Sequence, residues 1–296
     1  MKKFFKWVGI TLLGLIALSI IAIIVIKIFQ EDIRAYTLDS RQEDYALLLQ
    51  ESKYAPDTLE IHPLFCMDDP KLDSVRIHFR LDTLFNGTES TYEKAIKLQR
   101  FVSDNLPHDN PPTQIRERNA FSLWNYVKET GNNINCRQHS ILYRDMALSV
   151  GIKTRFITCR PYDHEDSDCH VVNEVWLPEL KKWAMIDSDQ DKRVTSVDGL
   201  PLSIRELREL IVANKPYLIN GESNKGKYYH MYMSKNTYWF SRHEISVMDD
   251  ESGLEGDIYD QNRRVYLIPV GFSIEHEKLT HLKDALKTTD PDQFWR

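Results

Sequence analysis

The sequence predicts an α+β fold in which one helix packs against an antiparallel sheet, and three observations lead to this prediction. Residues 91–106 carry apolar side chains at helical spacing with charged residues between them. A second helical pattern begins at Cys136, after a polar turn, and closes at Gly151, a residue suited to a left-handed helix stop. Three short β-rich runs then follow, with a hairpin loop between the last two, at residues 152–159, 170–177 and 183–187.

The remaining segments give weaker patterns. A short apolar and aromatic helix is predicted over residues 120–127, ending near Gly131. A short strand is predicted at residues 74–81 (SVRIHFRL), and residues 228–247 are aromatic and strand-like. Further elements are a helix over 201–216, a strand over 265–272 and a short amphipathic helix over 274–286. Since residues 88–272 contain no linker-like stretch, we expect one folded unit.

The start of the chain differs from the rest. Residues 7–26 form an uncharged apolar run of 20 residues between Lys6 and Lys27. At about 1.5 Å per residue, such a helix matches a hydrocarbon layer of roughly 30 Å. A cleaved signal peptide is the alternative, but its apolar stretch is usually only about 7–15 residues and ends in small residues. The sequence therefore favours an uncleaved membrane anchor.

Charge around this run predicts its orientation and the domain organisation. Three lysines precede the run, whereas the basic residues after it are mixed with acidic ones. The positive-inside rule then places the N-terminus in the cytoplasm and the rest outside, in the periplasm or at the cell surface. The predicted divisions are a cytoplasmic tail, an anchor, a juxtamembrane stalk with an N-terminal extension, a core and a C-terminal extension packed on it, at residues 1–6, 7–29, 30–87, 88–200 and 201–296.

Composition limits the function classes. The 296-residue chain is 42% hydrophobic and 28% charged, which is ordinary for a globular protein and argues against wholesale disorder. Its net charge of −6 is spread without a basic stripe, so a nucleic acid is not an expected partner. Cysteines and histidines that could bind zinc by type lack the spacing of a common site, and we expect neither metal nor cofactor.

Three residues are candidates for nucleophilic chemistry. Cys136 lies at a predicted helix start, where free N–H groups and the helix dipole favour a thiolate. His170 opens one strand and can take the thiol proton, and Asp187 ends the next strand and can hold the imidazole. His139 is a rival base, and Asp189 and Asp191 are rival carboxylates. Cys136 alone would read as a buried structural thiol.

The motifs around these residues resemble the transglutaminase-like superfamily, over about residues 91–190. The family pattern is similar to G-x-C followed by an apolar helix and G-I, then H-x-W-N-E-V, then a strand ending in D. Here it is met by Cys136, Leu148, Gly151, Ile152 and Arg155, by His170, Asn173, Glu174 and Val175, and by Trp183 and Asp187. The resemblance implies a papain-like cysteine site on one helix and an antiparallel sheet, with the roles given above for Cys136, His170 and Asp187.

Several features depart from the family pattern or stay open. Ile134, Ser140 and Val172 replace the usual glycine, alanine and tryptophan, which affects the pocket rather than a reacting atom. The spacing from His170 to Asp187 is one residue longer than the commonest one, which predicts a β-bulge near the loop. Cys159 and Cys169 could form a hairpin disulfide or remain buried thiols.

The function implied by the resemblance is attack of a thiolate on a peptide or carboxamide carbonyl, with a protein or peptide as substrate. Water as acceptor gives hydrolysis and an amine gives cross-linking. The residues do not choose between the two, but the resemblance favours hydrolysis, because bacterial members with this short core are mostly hydrolytic or uncharacterised. The backbone N–H of Cys136 would bind the oxyanion, with Asn133 and Asn135 as weak candidates for the second donor. The alternative is an inactive envelope domain that binds peptide or glycan through the aromatic surface of residues 228–247.

Overall fold

The computed structural model describes residues 30–111, 115, 117–248 and 264–296, together with the isolated residues 7, 15 and 19. The helices of this part are α1 Gln30–Glu51, α2 Pro70–His78, α3 Thr91–Asn105, α4 Ala120–Thr130, α5 Cys136–Ser149, α6 Ile204–Val212, α7 Tyr228–Asn236 and α8 Pro291–Phe294. Its strands are β1 Leu64–Phe65, β2 Thr154–Arg160, β3 His170–Leu177, β4 Lys182–Asp187, β5 Lys192–Thr195, β6 Leu218–Ile219, β7 Glu222–Ser223, β8 Trp239–His243, β9 Ile245–Ser246, β10 Arg264–Leu267 and β11 Leu286–Thr288.

Most strands of the described residues belong to one sheet with the order β11-β10-β8-β2-β3-β4-β5-β6-β7. All neighbours in it are antiparallel except β10 and β11, which are parallel. The α+β class and the antiparallel centre of the sheet therefore agree with the prediction. The sheet also extends beyond the predicted hairpins, because β8 from the C-terminal part pairs with the outer edge of β2 and β10 pairs with β8.

Strands β3 and β4 pair without interruption, so the predicted β-bulge is wrong. The register joins Asn173 to Ile186 and runs evenly to Leu177 opposite Lys182. The extra residue is absorbed in the connecting turn, where Lys181 has a left-handed φ of 51°. A turn can change its length without shifting the ladder, whereas a bulge would bend the strands that hold the site.

The sheet is covered on both faces. Along β3, Val171 and Val175 belong to the cluster that includes buried side chains of α2, α3, α4 and α5, whereas Val172 belongs to the cluster under α1, α6 and α7. This alternation follows from the two-residue period of a strand. Helix α5 is buried along nearly its whole length, from Gln138 to Leu148. It is the central helix of its layer and is held by the helices around it.

The predicted membrane span at residues 7–26 lies outside the described residues, apart from three isolated positions. Within the residues that the structure describes, no helix combines the length and the apolar composition needed to cross a bilayer. The segment expected to be a stalk contains α1, whose Ala46 and Leu49 are buried against the C-terminal elements. Gly226, just before α7, comes so close to α1 that an added Cβ would lie 2.7 Å from the Cβ of Ala35.

Two local predictions are wrong. Residues 74–81 are not a strand, because residues 74–78 belong to α2, which begins at Pro70 with Asp69 accepting the Lys71 N–H at 2.9 Å. The aromatic stretch 228–247 begins with helix α7, and strands β8 and β9 form only its second half. In both cases aromatic and β-branched residues suggested strands, but packing of a few buried residues per turn decided for helix. The amphipathic tail forms a 3₁₀ turn at Glu277–Leu282.

Candidate functional site

Cys136 is the first residue of α5, and the residues around it fix the helix start. Asn135 accepts the Gln138 N–H at 3.3 Å, and Gln138 returns the bond by accepting the Asn135 N–H at 2.9 Å. This reciprocal capping box satisfies two of the free donors of the first turn. It does not use the Cys136 N–H, which remains available at the positive end of the helix dipole.

Two hydrogen bonds tie α5 to the beginning of β3. The Ser140 hydroxyl donates to the Val171 carbonyl at 3.0 Å, and the Asn173 amide donates to the Ser140 carbonyl at 2.9 Å. All of these residues are buried. Because one bond lies on each side of Val172, the helix that carries Cys136 is held in register with the strand that carries His170. This accounts for the asparagine of the N-E-V run.

The glutamate of the same run has a structural role. Glu174 receives two hydrogen bonds from the buried Arg155 guanidinium, at 3.1 and 2.9 Å, and its other oxygen accepts the Ile204 N–H at 2.9 Å. Trp183 covers the guanidinium, which lies 4.1 Å from its ring centre. Strands β2, β3 and β4 are therefore locked to the start of α6 on the face opposite α5.

His170 and Asp187 form a buried pair. His170 Nε2 lies 2.6 Å from Asp187 Oδ2, and both side chains are shielded from solvent. Extending the ladder puts Asp187 opposite Val172, so His170 and Asp187 are diagonal neighbours on one face of the sheet. With Nε2 engaged, Nδ1 is the ring nitrogen left for another partner.

The electrostatics of His170 link it to Cys136. Burial alone would lower the pKa of the imidazole, but the charge and hydrogen bond of Asp187, together with a hydrogen bond to the Cys136 side chain, raise it well above its usual value. Cys136 and His170 line the same cleft, and these interactions favour the protonated imidazole.

Asp187 is a fully satisfied carboxylate. Its Oδ1 accepts the N–H groups of Asp189 and Gln190 at 3.1 and 3.0 Å, and its Oδ2 accepts from His170 and from the Tyr229 hydroxyl at 2.8 Å. Burial would raise its pKa, but the cationic His170 and these hydrogen bonds hold the pKa below its ordinary value. Asp187 thus stays ionised beside the imidazole.

The rival histidine is buried, and the rival carboxylates have other hydrogen-bond partners. His139 is fully buried, and desolvation lowers its pKa; its Nε2 is 3.7 Å from Asp189 Oδ1. Asp189 contacts His108, whose Nδ1 is 2.6 Å from Asp189 Oδ1, and Asp191 accepts from Gln99 at 2.8 Å. Of the three carboxylates, Asp187 is the one hydrogen-bonded to His170.

A cleft of about 550 Å³ opens over the cysteine and the histidine. Its lining is mostly polar. Of the two asparagines considered as oxyanion donors, Asn135 lines the cleft and Asn133 does not. Residues from distant parts of the chain complete it, namely His108, Arg118, Ser167, Asp168, Cys169, Asp189, Tyr228 and Tyr232. Hydrogen bonding to Asp189 raises the pKa of His108, with burial opposing.

The aromatic stretch contributes to this cleft but does not form an exposed surface. Most of its side chains are buried, and Tyr228 is the one that is largely exposed, at 50%. Tyr228 stacks on Tyr232, and the Tyr232 ring meets His170 edge-on at 5.2 Å between centroids. Neither tyrosine was identified from the sequence, because the stretch gave no helical period.

Thiols and metal ligands were also open questions. All four cysteines are free, so Cys159 and Cys169 do not form the disulfide considered above.

Among the described residues, one set could present ligand atoms to a metal, since atoms of His170, Asp187 and Asp189 lie within 4.8 Å of one another. His170 Nε2 and Asp187 Oδ2 already bond each other there, which fits an acid–base pair better than a metal centre.

Comparison with known proteins assigns the class. Residues 80–188, which include Cys136, His170 and Asp187, match the family model of the transglutaminase-like superfamily. This match supports the resemblance that the motifs indicated. None of the curated proteins is significantly similar to the chain.

Two solved structures match part of the chain. A candidate cysteine protease from Cytophaga hutchinsonii is 18% identical, with a TM-score of 0.32, and the match covers 53% of this chain and 48% of that protein. A candidate protease from Parabacteroides distasonis is 14% identical, with a TM-score of 0.27, over 52% of this chain and 25% of that one. The chain thus spans at most about half of either protein.

Proposed function

We propose that the protein is a cysteine enzyme that acts on peptide or carboxamide bonds through Cys136, His170 and Asp187, as a hydrolase rather than a cross-linker. The observation that carries this proposal is the buried His170–Asp187 pair, whose histidine lines the same cleft as Cys136 at the start of α5. A carboxylate that stays ionised keeps the imidazole charged, and a charged imidazole stabilises a neighbouring thiolate.

The proposed reaction has two halves. The Cys136 thiolate attacks the carbonyl carbon while the Cys136 N–H binds the oxyanion, and the C–N bond breaks as His170 gives its proton to the leaving amine. His170 then takes a proton from water, whose oxygen attacks the thioester. The carboxylic acid product leaves, and the thiolate and imidazolium are restored. Asp187 keeps the imidazole in place throughout and exchanges no proton.

The character of the cleft supports hydrolysis. Its walls are largely polar, so water can enter and reach the acyl-enzyme without a second protein having to dock. A cross-linking enzyme would have to admit an amine and keep water out, since water is present at far higher concentration. The substrate class that fits is a protein or peptide segment whose carbonyl enters the cleft.

The location remains a proposal from sequence. The apolar run at residues 7–26 would anchor the chain, and the charge bias would place the enzyme outside the cytoplasm, in the periplasm or at the cell surface. The helix α1 would then connect the membrane to the folded part, since its Ala46 and Leu49 pack on the C-terminal elements.

The test uses the full-length chain in detergent, with iodoacetamide labelling mapped by mass spectrometry and with a panel of amide and peptide substrates. At pH 6.5 we expect rapid labelling at Cys136 and turnover that Cys136→Ala abolishes. Cys169 is the matched control, because it is a free thiol that lines the same cleft. Cys169→Ser should retain both labelling and turnover.

Two results would contradict the proposal. Undiminished turnover in Cys136→Ala would remove the mechanism. Labelling of Cys136 only near pH 8.5, as for an ordinary thiol, would point to the inactive binding domain instead. In that case Tyr228 and Tyr232 would be the contact residues, because they form the aromatic wall of the cleft.

A further inference from the structure

Helix α7 reaches the candidate site from outside the part of the chain that matches the family, which ends at residue 188. Its second residue, Tyr229, is 4% exposed and donates its hydroxyl to Asp187 Oδ2 at 2.8 Å. The oxygen that accepts this bond is the one that contacts His170 at 2.6 Å. The family core therefore shares the acceptor of its histidine with a side chain from the C-terminal extension.

We infer that Tyr229 is a positioning residue that fixes the Asp187 carboxylate, and through it the His170 imidazole, for the chemistry at Cys136. This inference rests on the proposed function. Tyr229 does not line the cleft and would touch no substrate. Its effect would reach the reaction only through the carboxylate, which makes it separable from binding.

The hydrogen bonds of Asp187 explain why a fourth partner matters. Two backbone N–H groups hold Oδ1, so the carboxylate could still rotate about its Oδ1 end unless Oδ2 is also held. If His170 were the sole donor to Oδ2, the imidazole would move together with the carboxylate. The Tyr229 hydroxyl supplies a second, independent donor to Oδ2, and the pair of donors fixes the plane of the carboxylate.

Tyr229 is itself suited to donating. Burial and the Asp187 charge raise the pKa of its hydroxyl well above the usual value, so it keeps its proton. The helix that carries it is fixed as well. The Gly226 N–H, just before α7, donates to Asp39 of α1 at 2.7 Å. A rigid helix can hold a rigid donor.

The test compares Tyr229→Phe with Tyr217→Phe in the full-length chain. Each substitution deletes one buried hydroxyl and one hydrogen bond in the same region, but only Tyr229 bonds to Asp187. For Tyr229→Phe we expect kcat to fall about 10- to 100-fold, the loss expected for one hydrogen bond to a charged group, with KM within about 2-fold. Iodoacetamide labelling of Cys136 should slow at pH 6.5 but not at pH 9, and Tyr217→Phe should change neither rate.

Circular dichroism establishes that both variants are folded, and the downfield NMR resonance of the His170 ring proton gives a second readout that needs no substrate. Tyr229→Phe should shift this resonance and Tyr217→Phe should not. Wild-type kcat and labelling in Tyr229→Phe would overturn the inference, as would equal losses in both variants, which would indicate a purely structural role. If the wild-type thiol labels only near pH 8.5, the proposed function fails, and the inference fails with it.

Discussion

The hydrogen bonds of Asp187 lead to a specific prediction for Asp187→Asn. The asparagine is isosteric, but its two ends differ, and the structure decides how it sits. Two backbone N–H groups meet Oδ1, so the amide oxygen must take that position. The amide NH₂ then takes the Oδ2 position, facing His170 Nε2. There it donates, so Nε2 must accept and the ring proton moves to Nδ1, the nitrogen that should receive the thiol proton.

The expected loss is large because two effects combine. A wrong tautomer alone lowers kcat on the order of 10⁴-fold in a serine triad, where the geometry is otherwise preserved. The substitution also removes the Asp187 carboxylate charge, which raises the pKa of His170. The imidazole is then charged less often and stabilises the thiolate less. An ordinary thiol is only about 1% ionised at pH 6.5, so labelling of Cys136 at that pH should fall roughly 100-fold.

The assay is the pH dependence of iodoacetamide labelling, with kcat measured wherever a substrate has been found. Asp191→Asn is the matched control, because Asp191 is a nearby carboxylate bonded to Gln99 and not to His170. It should label like the wild type. If Asp187→Asn keeps the wild-type profile and turnover, the carboxylate does not set the state of His170, and the reasoning about the pair is wrong.

Three further predictions concern stability and titration. Arg155→Met leaves Glu174 charged and buried, which should lower the free energy of unfolding in urea by about 3–5 kcal/mol. The control Arg205→Met breaks only exposed ion pairs and should lower it by less than about 1 kcal/mol. Similar losses in the two variants would contradict the role of burial. Burial lowers the pKa of His230 to about 4, so this side chain takes up a proton in the unfolded chain as soon as the pH falls below about 6.5, while it stays neutral in the folded protein. Between pH 7 and 4 the wild type should therefore lose on the order of 3 kcal/mol more stability than His230→Gln. Equal losses would refute the assignment. Asp189→Asn removes the main cause of the raised pKa of His108, so an NMR titration of that ring should move to lower pH, and an unchanged midpoint would show that the pair does not form.

Local signals in the sequence were sufficient for the elements that carry the site. Asn135 before Cys136 is a capping residue, and Gly131 and Gly151 take the positive φ values that end or follow helices. The predicted strand at residues 170–177 coincides with β3. Because the following hairpin is short, His170 and Asp187 had to lie on neighbouring strands, and the resemblance to the family supplied the pairing.

The register and the long-range partners could not be read in this way. The spacing of one extra residue predicted a bulge, but a turn absorbed it at Lys181, and nothing local distinguishes the two solutions. Tyr229 is 42 positions from Asp187, and His108 is 81 positions from Asp189. Such contacts depend on how α7 and the loop after α3 settle on the sheet, which no spacing in the chain expresses.

The bond between Asn173 and Ser140 allows stability and activity to be separated. Asn173→Leu removes one buried hydrogen bond and also an acceptor, Oδ1, that has no partner among the described residues. These two changes oppose each other, so the free energy of unfolding should change by less than about 1.5 kcal/mol. The register between α5 and β3 would nevertheless loosen near Cys136 and His170, and a misplacement of about 1 Å can cost on the order of 10²-fold in rate.

We therefore expect slow labelling of Cys136 at pH 6.5 in a protein that unfolds in urea almost like the wild type. Ser149→Ala, which removes a hydroxyl bond at the other end of α5, serves as the control and should label normally. Wild-type labelling in Asn173→Leu would show that the helix is positioned by its apolar packing alone.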